Sequence, residues 1–178
     1  IGAAAAVAGM GTFGTFTDST TPVTATVASG TVEIDVTGPA VDVPVNASNF
    51  VPGDSVTKTV NLVNTGTAPL ASVLLNTTVT STANVLTDDK TNGLQLAIQS
   101  CSVAWAGSTC TGELRTVVPS GSAAGMINLA NPFSLAAGAT DYLSFKISLP
   151  TSADNSFQGK SASLSLVFTG TQRAGNAG

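Results

Sequence analysis

The chain has 178 residues, enough for one domain with an appendage, and 43% of them are hydrophobic, enough for a core. Only 9% are charged, against about 25% in ordinary soluble domains, so Thr, Ser, Asn and Gly must supply the polar surface, which suits a protein that packs against copies of itself. The net charge is −4, and the six basic residues are spread from Lys58 to Arg173. They leave no cluster able to neutralise a phosphate backbone, so nucleic-acid binding is not expected.

The first fourteen residues, IGAAAAVAGMGTFG, carry no charge and look like the apolar core and small-residue exit of a secretory signal. They are too short and too glycine-rich for a membrane-spanning helix. Period-two alternation starts after Thr21. Val32, Ile34 and Val36 oppose Glu33 and Asp35, and Val41, Val43 and Val45 oppose Asp42 and Pro44. A turn at Pro52-Gly53-Asp54 precedes a strand from Val56 to Val63, with Val56, Val60 and Leu62 on one face, and Asn64-Thr65-Gly66 ends that run. A strand follows from Val73 to Val79, then a polar loop from Asp88 to Gly93. Its Asp and Asn lack the alternate spacing of a calcium loop, so it is read as an exposed turn. Leu94, Leu96 and Ile98 lead into a cysteine loop, and Leu114 to Val118 form the return strand. Ser120 to Asn131 is expected to be a long small-residue connection. After a turn at 136–139, Leu143, Phe145, Ile147 and Leu149 alternate with Ser144, Lys146 and Ser148; Leu164, Leu166 and Phe168 alternate with Ser163 and Ser165. Eight or nine short strands and no sustained 3.6-residue period predict an all-β sandwich.

Eight residues separate Cys101 from Cys110, a spacing that suits a loop closed by a disulfide in an oxidising compartment. Metal-binding cysteines lie closer together and need further ligands, and the chain has no histidine. Trp105, inside this loop, is read as covering the bridge or an inter-sheet gap, in preference to stacking on a sugar.

Four segments, GTFGTFTDSTTPVTATVASGTVEIDV at 11–36, PGDSVTKTVNLVNTGTAPL at 52–70, LAAGATDYLSFKISLP at 135–150 and SFQGKSASLSLVFTGTQ at 156–172, resemble the TasA and camelysin group of secreted bacterial matrix-fibre proteins and their archaeal pilus relatives. The resemblance implies a jelly-roll-like β-sandwich in which the N-terminal segment of one subunit completes the sheet of its neighbour. In that family the signal peptide is removed near a site corresponding to Gly14-Thr15-Phe16; here either processing occurs earlier or the residues before that point have a structural task, and the second is the expectation.

Camelysin-like sequences carry a metallopeptidase label, but a zinc peptidase needs clustered ligands and a base, commonly two histidines with a glutamate between them. This chain has no histidine and two glutamates, Glu33 and Glu113. Serine and cysteine nucleophiles lack their usual base for the same reason. No catalytic, cofactor-binding or metal-binding residue is assigned, and no enzymatic activity or cofactor is expected.

Function is therefore placed in the leading segment. As a strand, Ile1, Ala3, Ala5, Val7 and Phe13 share a face, and these with Phe16 form the candidate donor strand. The division is 1–16 as donor, 17–172 as sandwich and 173–178 as tail. The expected partners are copies of the chain in a homopolymeric extracellular or cell-surface filament, together with other matrix components, without nucleic acid and without a stable membrane span. The competing reading is a monomeric secreted adhesive or carbohydrate-binding sandwich module that uses the cysteine loop and Trp105.

Overall fold

The computed structural model describes residues 23–24, 32–35 and 41–173. The candidate donor residues Ile1, Ala3, Ala5, Val7, Phe13 and Phe16, and the tail beyond Arg173, lie outside the described residues. Ten strands are present among the described residues: β1 (Val23–Thr24), β2 (Val32–Asp35), β3 (Val41–Ser48), β4 (Ser55–Val63), β5 (Leu70–Val79), β6 (Gln95–Cys101), β7 (Leu114–Ser122), β8 (Gly125–Asn128), β9 (Thr140–Ser148) and β10 (Ser161–Gln172). They form two five-stranded sheets with orders β1-β3-β10-β5-β8 and β2-β4-β9-β6-β7. Pairing is antiparallel except for β1 with β3 and β2 with β4. The architecture is an all-β sandwich.

The central strands, β10 in the first sheet and β9 in the second, carry the cleanest alternation. With both edges paired, their side chains have only two environments, the space between the sheets or the outside. Leu143, Phe145, Ile147 and Leu149 from the second sheet, and Ala162, Leu164, Leu166 and Phe168 from the first, are buried in one core with Val60, Leu62, Val73, Leu75 and Ile98. Each large side chain taken from water contributes about 1.5–3 kcal/mol, which offsets the ordering entropy of a chain with little helix.

Turn chemistry sets the strand ends. Asp54 N–H bonds to the Val51 carbonyl at 2.9 Å, with Pro52 at the second position and Gly53 at φ +97° in the third, the type II pattern that requires glycine there. Asn64 is fully buried. Its side chain donates to the carbonyls of Ala136 (3.1 Å) and Ala68 (3.4 Å) and accepts from Gly66 N–H (3.0 Å), so one amide fastens the ends of β4, β5 and the turn before β9.

Two expectations are corrected. Residues 120–131 are not a long connection: β7 continues to Ser122, and Gly125–Asn128 adds to β5 as edge strand β8. All four residues of β8 are exposed, so no burial pattern marked it. The run before the polar loop contains a single-turn helix, α1 (Val85–Asp88), in which Asn84 accepts from Leu86 N–H at 2.9 Å and donates its own N–H to Thr87 Oγ1 at 3.2 Å. Four residues are too few to show a helical period. Beyond α1 the chain closes on itself at Gly93, where a Cβ would collide with the carbonyls of Leu86 and Asp89.

Candidate functional site

Cys101 and Cys110 form a disulfide with their Cα atoms 5.7 Å apart. It closes the β6–β7 hairpin, whose tip turns at Ala106-Gly107-Ser108-Thr109 through paired backbone bonds of 2.9 and 3.1 Å, with Gly107 at φ +63°. Ser102 N–H and Oγ bind Glu113 from the other side of the loop, at 2.9 and 2.8 Å. Trp105 is thereby held against the second sheet, its indole N–H donating to the Tyr142 carbonyl of β9 at 2.7 Å. Of the two places expected for Trp105, over the bridge or in an inter-sheet gap, the second is not occupied: the ring is half-buried on the outside of the sandwich, where it walls a cavity of about 780 Å³.

The floor of that cavity follows from register. Thr59, Ser144, Gln99 and Thr116 lie directly opposite one another across β4, β9, β6 and β7, and the next rung is Thr57, Lys146 and Ala97. Two register shifts between β6 and β7 leave Val117 and Val118 both buried while Thr116 and Ser120 border the cavity. Bulges of this kind re-aim side chains.

A second surface lies at the β8 edge of the first sheet. Ile127 is opposite Leu75, on the core-facing register, yet 38% of it is exposed; its neighbour Met126 is 68% exposed. Beside them, between β7 and β8, runs a depression of about 280 Å³ lined by Thr77, Leu96, Gly121 and Ala123 among others. The Thr77 hydroxyl is buried there without a hydrogen-bond partner.

Asp141 is a polar site inside the second sheet. It is fully buried and accepts from Ser100 Oγ (2.6 Å), Phe133 N–H (2.7 Å) and Ser134 N–H (2.7 Å). Sequence reasoning passed over it, although a signal was present: Asp141 occupies the inward register of the strand that continues through Leu143, Phe145 and Ile147. The floor residues were equally visible as the outward set of the same strands. Nothing in the sequence marked which outward set the hairpin would enclose.

Residues 2–101 match the profile of a family described as camelysin metallo-endopeptidase. The chain belongs to the TasA/camelysin family. No curated protein matches it. Among solved structures it is similar to the crystal structure of Aeromonas hydrophila PliG, a periplasmic lysozyme inhibitor of g-type lysozyme, at 8% identity over 80% of this chain and 97% of that one, with a TM-score of 0.33. A likeness that slight carries no argument.

The family's description implies a metal, and the described side chains of this TasA/camelysin member do not fit one. There is no histidine, both cysteines are oxidised, and among the described residues no three His, Cys, Asp or Glu side chains come together. The buried carboxylate, Asp141, already accepts from three donors. In the polar loop, Asp89 is likewise occupied, accepting from the backbone N–H groups of Asn92 (2.8 Å) and Thr91 (2.9 Å) and from the Asn92 side chain (3.2 Å). These bonds hold its carboxyl below the usual carboxylate range, the Asn92 backbone contributing most. Among the described residues no helix is long and apolar enough to cross a membrane.

Proposed function

We propose that the chain is a non-enzymatic structural subunit of an extracellular or cell-surface filament, a pilus or biofilm-matrix fibre, in which copies join head to tail by donor-strand complementation. The observation that carries the reading is Ile127, a core-facing side chain at an open sheet edge with more than a third of its surface exposed. An inward-facing isoleucine is normally covered by the layer packed on that face, and an edge strand with unpaired main-chain groups is a template for a further strand. Here β8 is the last strand in its sheet, and among the described residues no strand pairs with its outer edge.

A strand with Ile1, Ala3, Ala5, Val7 and Phe13 on one face and small residues nearly everywhere else, running on to Phe16, suits that edge. Its main chain would satisfy β8, and its alternate apolar side chains would cover Ile127 and enter the depression beside Thr77. Backbone pairing supplies affinity and the alternate pockets supply specificity. Because donor and acceptor are different parts of one molecule, the contact is heterologous and propagates without closing. Family membership and the disulfide support a secreted location.

Deleting residues 1–16 tests this. The truncated chain is expected to remain monomeric in negative-stain micrographs and sedimentation, to bind a synthetic peptide of residues 1–16, and to melt at a higher temperature when it does. Ile127→Asp in the full chain is expected to block filaments while the subunit stays folded. Filaments of normal length after the deletion would overturn the proposal.

A further inference from the structure

The cavity under the disulfide hairpin is a different kind of surface from the β8 edge, and we infer that it binds an acidic polysaccharide. Its floor is the face of a sheet, whose peptide groups are spent in the ladders joining β4, β9, β6 and β7. An added strand therefore has no main-chain partners there, and recognition falls to side chains.

Those side chains are the ones that read a sugar. The continuous rung Thr59, Ser144, Gln99 and Thr116 offers three hydroxyls and a carboxamide across four strands, a span of about 14 Å at the usual strand spacing. Trp105 stands at the wall and lines the cavity. Its orientation is fixed by the disulfide hairpin and by its bond to the Tyr142 carbonyl, so a flat apolar face is presented at little entropic cost. A peptide with large apolar side chains would find only Ala97 and Val118 among the floor and rim residues.

Charge selects the class of sugar. The protein carries −4 overall, yet among the described residues the cavity is lined by two lysines and no carboxylate. Lys58 comes from the register of Val56 and Val60. Lys146 comes from the outward register, between Thr57 and Ala97, and is exposed without an ion-pair partner among the described residues. An ammonium and an indole lining one cavity, with hydroxyls on its floor, match a chain of uronic-acid pyranoses: carboxylate to Lys146, ring hydroxyls to the Thr-Ser-Gln-Thr rung, and the apolar ring face to Trp105. This inference does not depend on how subunits assemble, because the cavity and the β8 edge are on different sheets.

Trp105 is the single tryptophan, so its emission reports the site directly. The full chain is titrated with oligogalacturonate, with a neutral glucose oligomer of equal length, and with poly-glutamate as an acidic chain without sugar rings. Saturable change is expected with oligogalacturonate, weaker change with the neutral oligomer, and none with poly-glutamate. Calorimetry is expected to show affinity for oligogalacturonate about tenfold lower in Lys146→Gln, the loss of one charge-assisted bond, and lower again in Trp105→Ala. Gln99→Ala, an outward substitution that leaves the hairpin intact, is expected to weaken binding without changing the melting temperature. No saturable change, equal response to poly-glutamate, or full affinity in Lys146→Gln and Gln99→Ala would each overturn the inference.

Discussion

Ser100 Oγ lies 2.6 Å from Asp141 Oδ1, a contact between β6 and the start of β9 with both residues wholly buried. The same carboxylate binds the N–H groups of Phe133 and Ser134, so one side chain joins two adjacent strands to the 3-10 turn at Phe133–Leu135. Asp141→Ala leaves three donors unpartnered, those of Ser100 and Ser134 fully buried, and is expected to cost about 3–5 kcal/mol, while Ser100→Ala removes one donor from a carboxylate that keeps two and is expected to cost about 1–2 kcal/mol. Asp141→Asn does not rescue, because an amide nitrogen must then face an N–H. Urea unfolding of the three variants measures this, and an Asn variant as stable as the parent would refute it.

Asn64 works in the same manner without a charge. Asn64→Ala frees the Ala136 and Ala68 carbonyls and the Gly66 N–H while leaving the backbone bonds Asn64 N–H to Ala139 O (3.0 Å) and Gly138 N–H to Asn64 O (2.9 Å) in place. The expected loss is about 2 kcal/mol, read as a lower urea midpoint at unchanged slope. A changed slope would mean that the denatured or native ensemble had altered instead.

What could be read from the sequence depended on which environments a strand meets. β9 and β10 are central, each with one face in the core, and their alternation was plain. β8 has four exposed residues, so its letters carry no burial pattern; only its pairing with β5 makes it a strand. The register shifts that place Val117 and Val118 side by side in the core broke the period-two signal after Thr116. The cavity escaped for another reason. Thr59, Ser144, Gln99 and Thr116 come from four strands, and their alignment exists only once register is known.

Asp89 and Asp154 make stability sensitive to acid. Hydrogen bonds from Asn92 and Thr91 lower the Asp89 carboxyl, and those from Ser156, its hydroxyl foremost, lower that of Asp154. A carboxyl whose folded value lies below its unfolded value contributes stability that is complete above the unfolded value and is lost as pH falls through the folded one. Asp89→Asn is therefore expected to be less stable than the parent near neutrality and to converge with it below about pH 4. Urea midpoints measured across that range test the sign, and a gap that widens with acid would contradict it.

The disulfide has two separable effects. Closing a short hairpin restricts the unfolded chain, and replacing both cysteines by serine is expected to cost about 2–3 kcal/mol. It also holds the loop that carries Trp105, whose indole donates to the Tyr142 carbonyl across 2.7 Å. With the bridge gone, the loop beyond the β6–β7 ladder is left to the Ser102–Glu113 and Ala106–Thr109 contacts and the Tyr142 bond, and the indole is expected to spend more time in water. The fluorescence of the Cys101→Ser, Cys110→Ser variant should shift to longer wavelength under conditions where circular dichroism still reports a folded sandwich. An unshifted spectrum would mean that the Tyr142 bond alone fixes the ring, and that the bridge serves stability only.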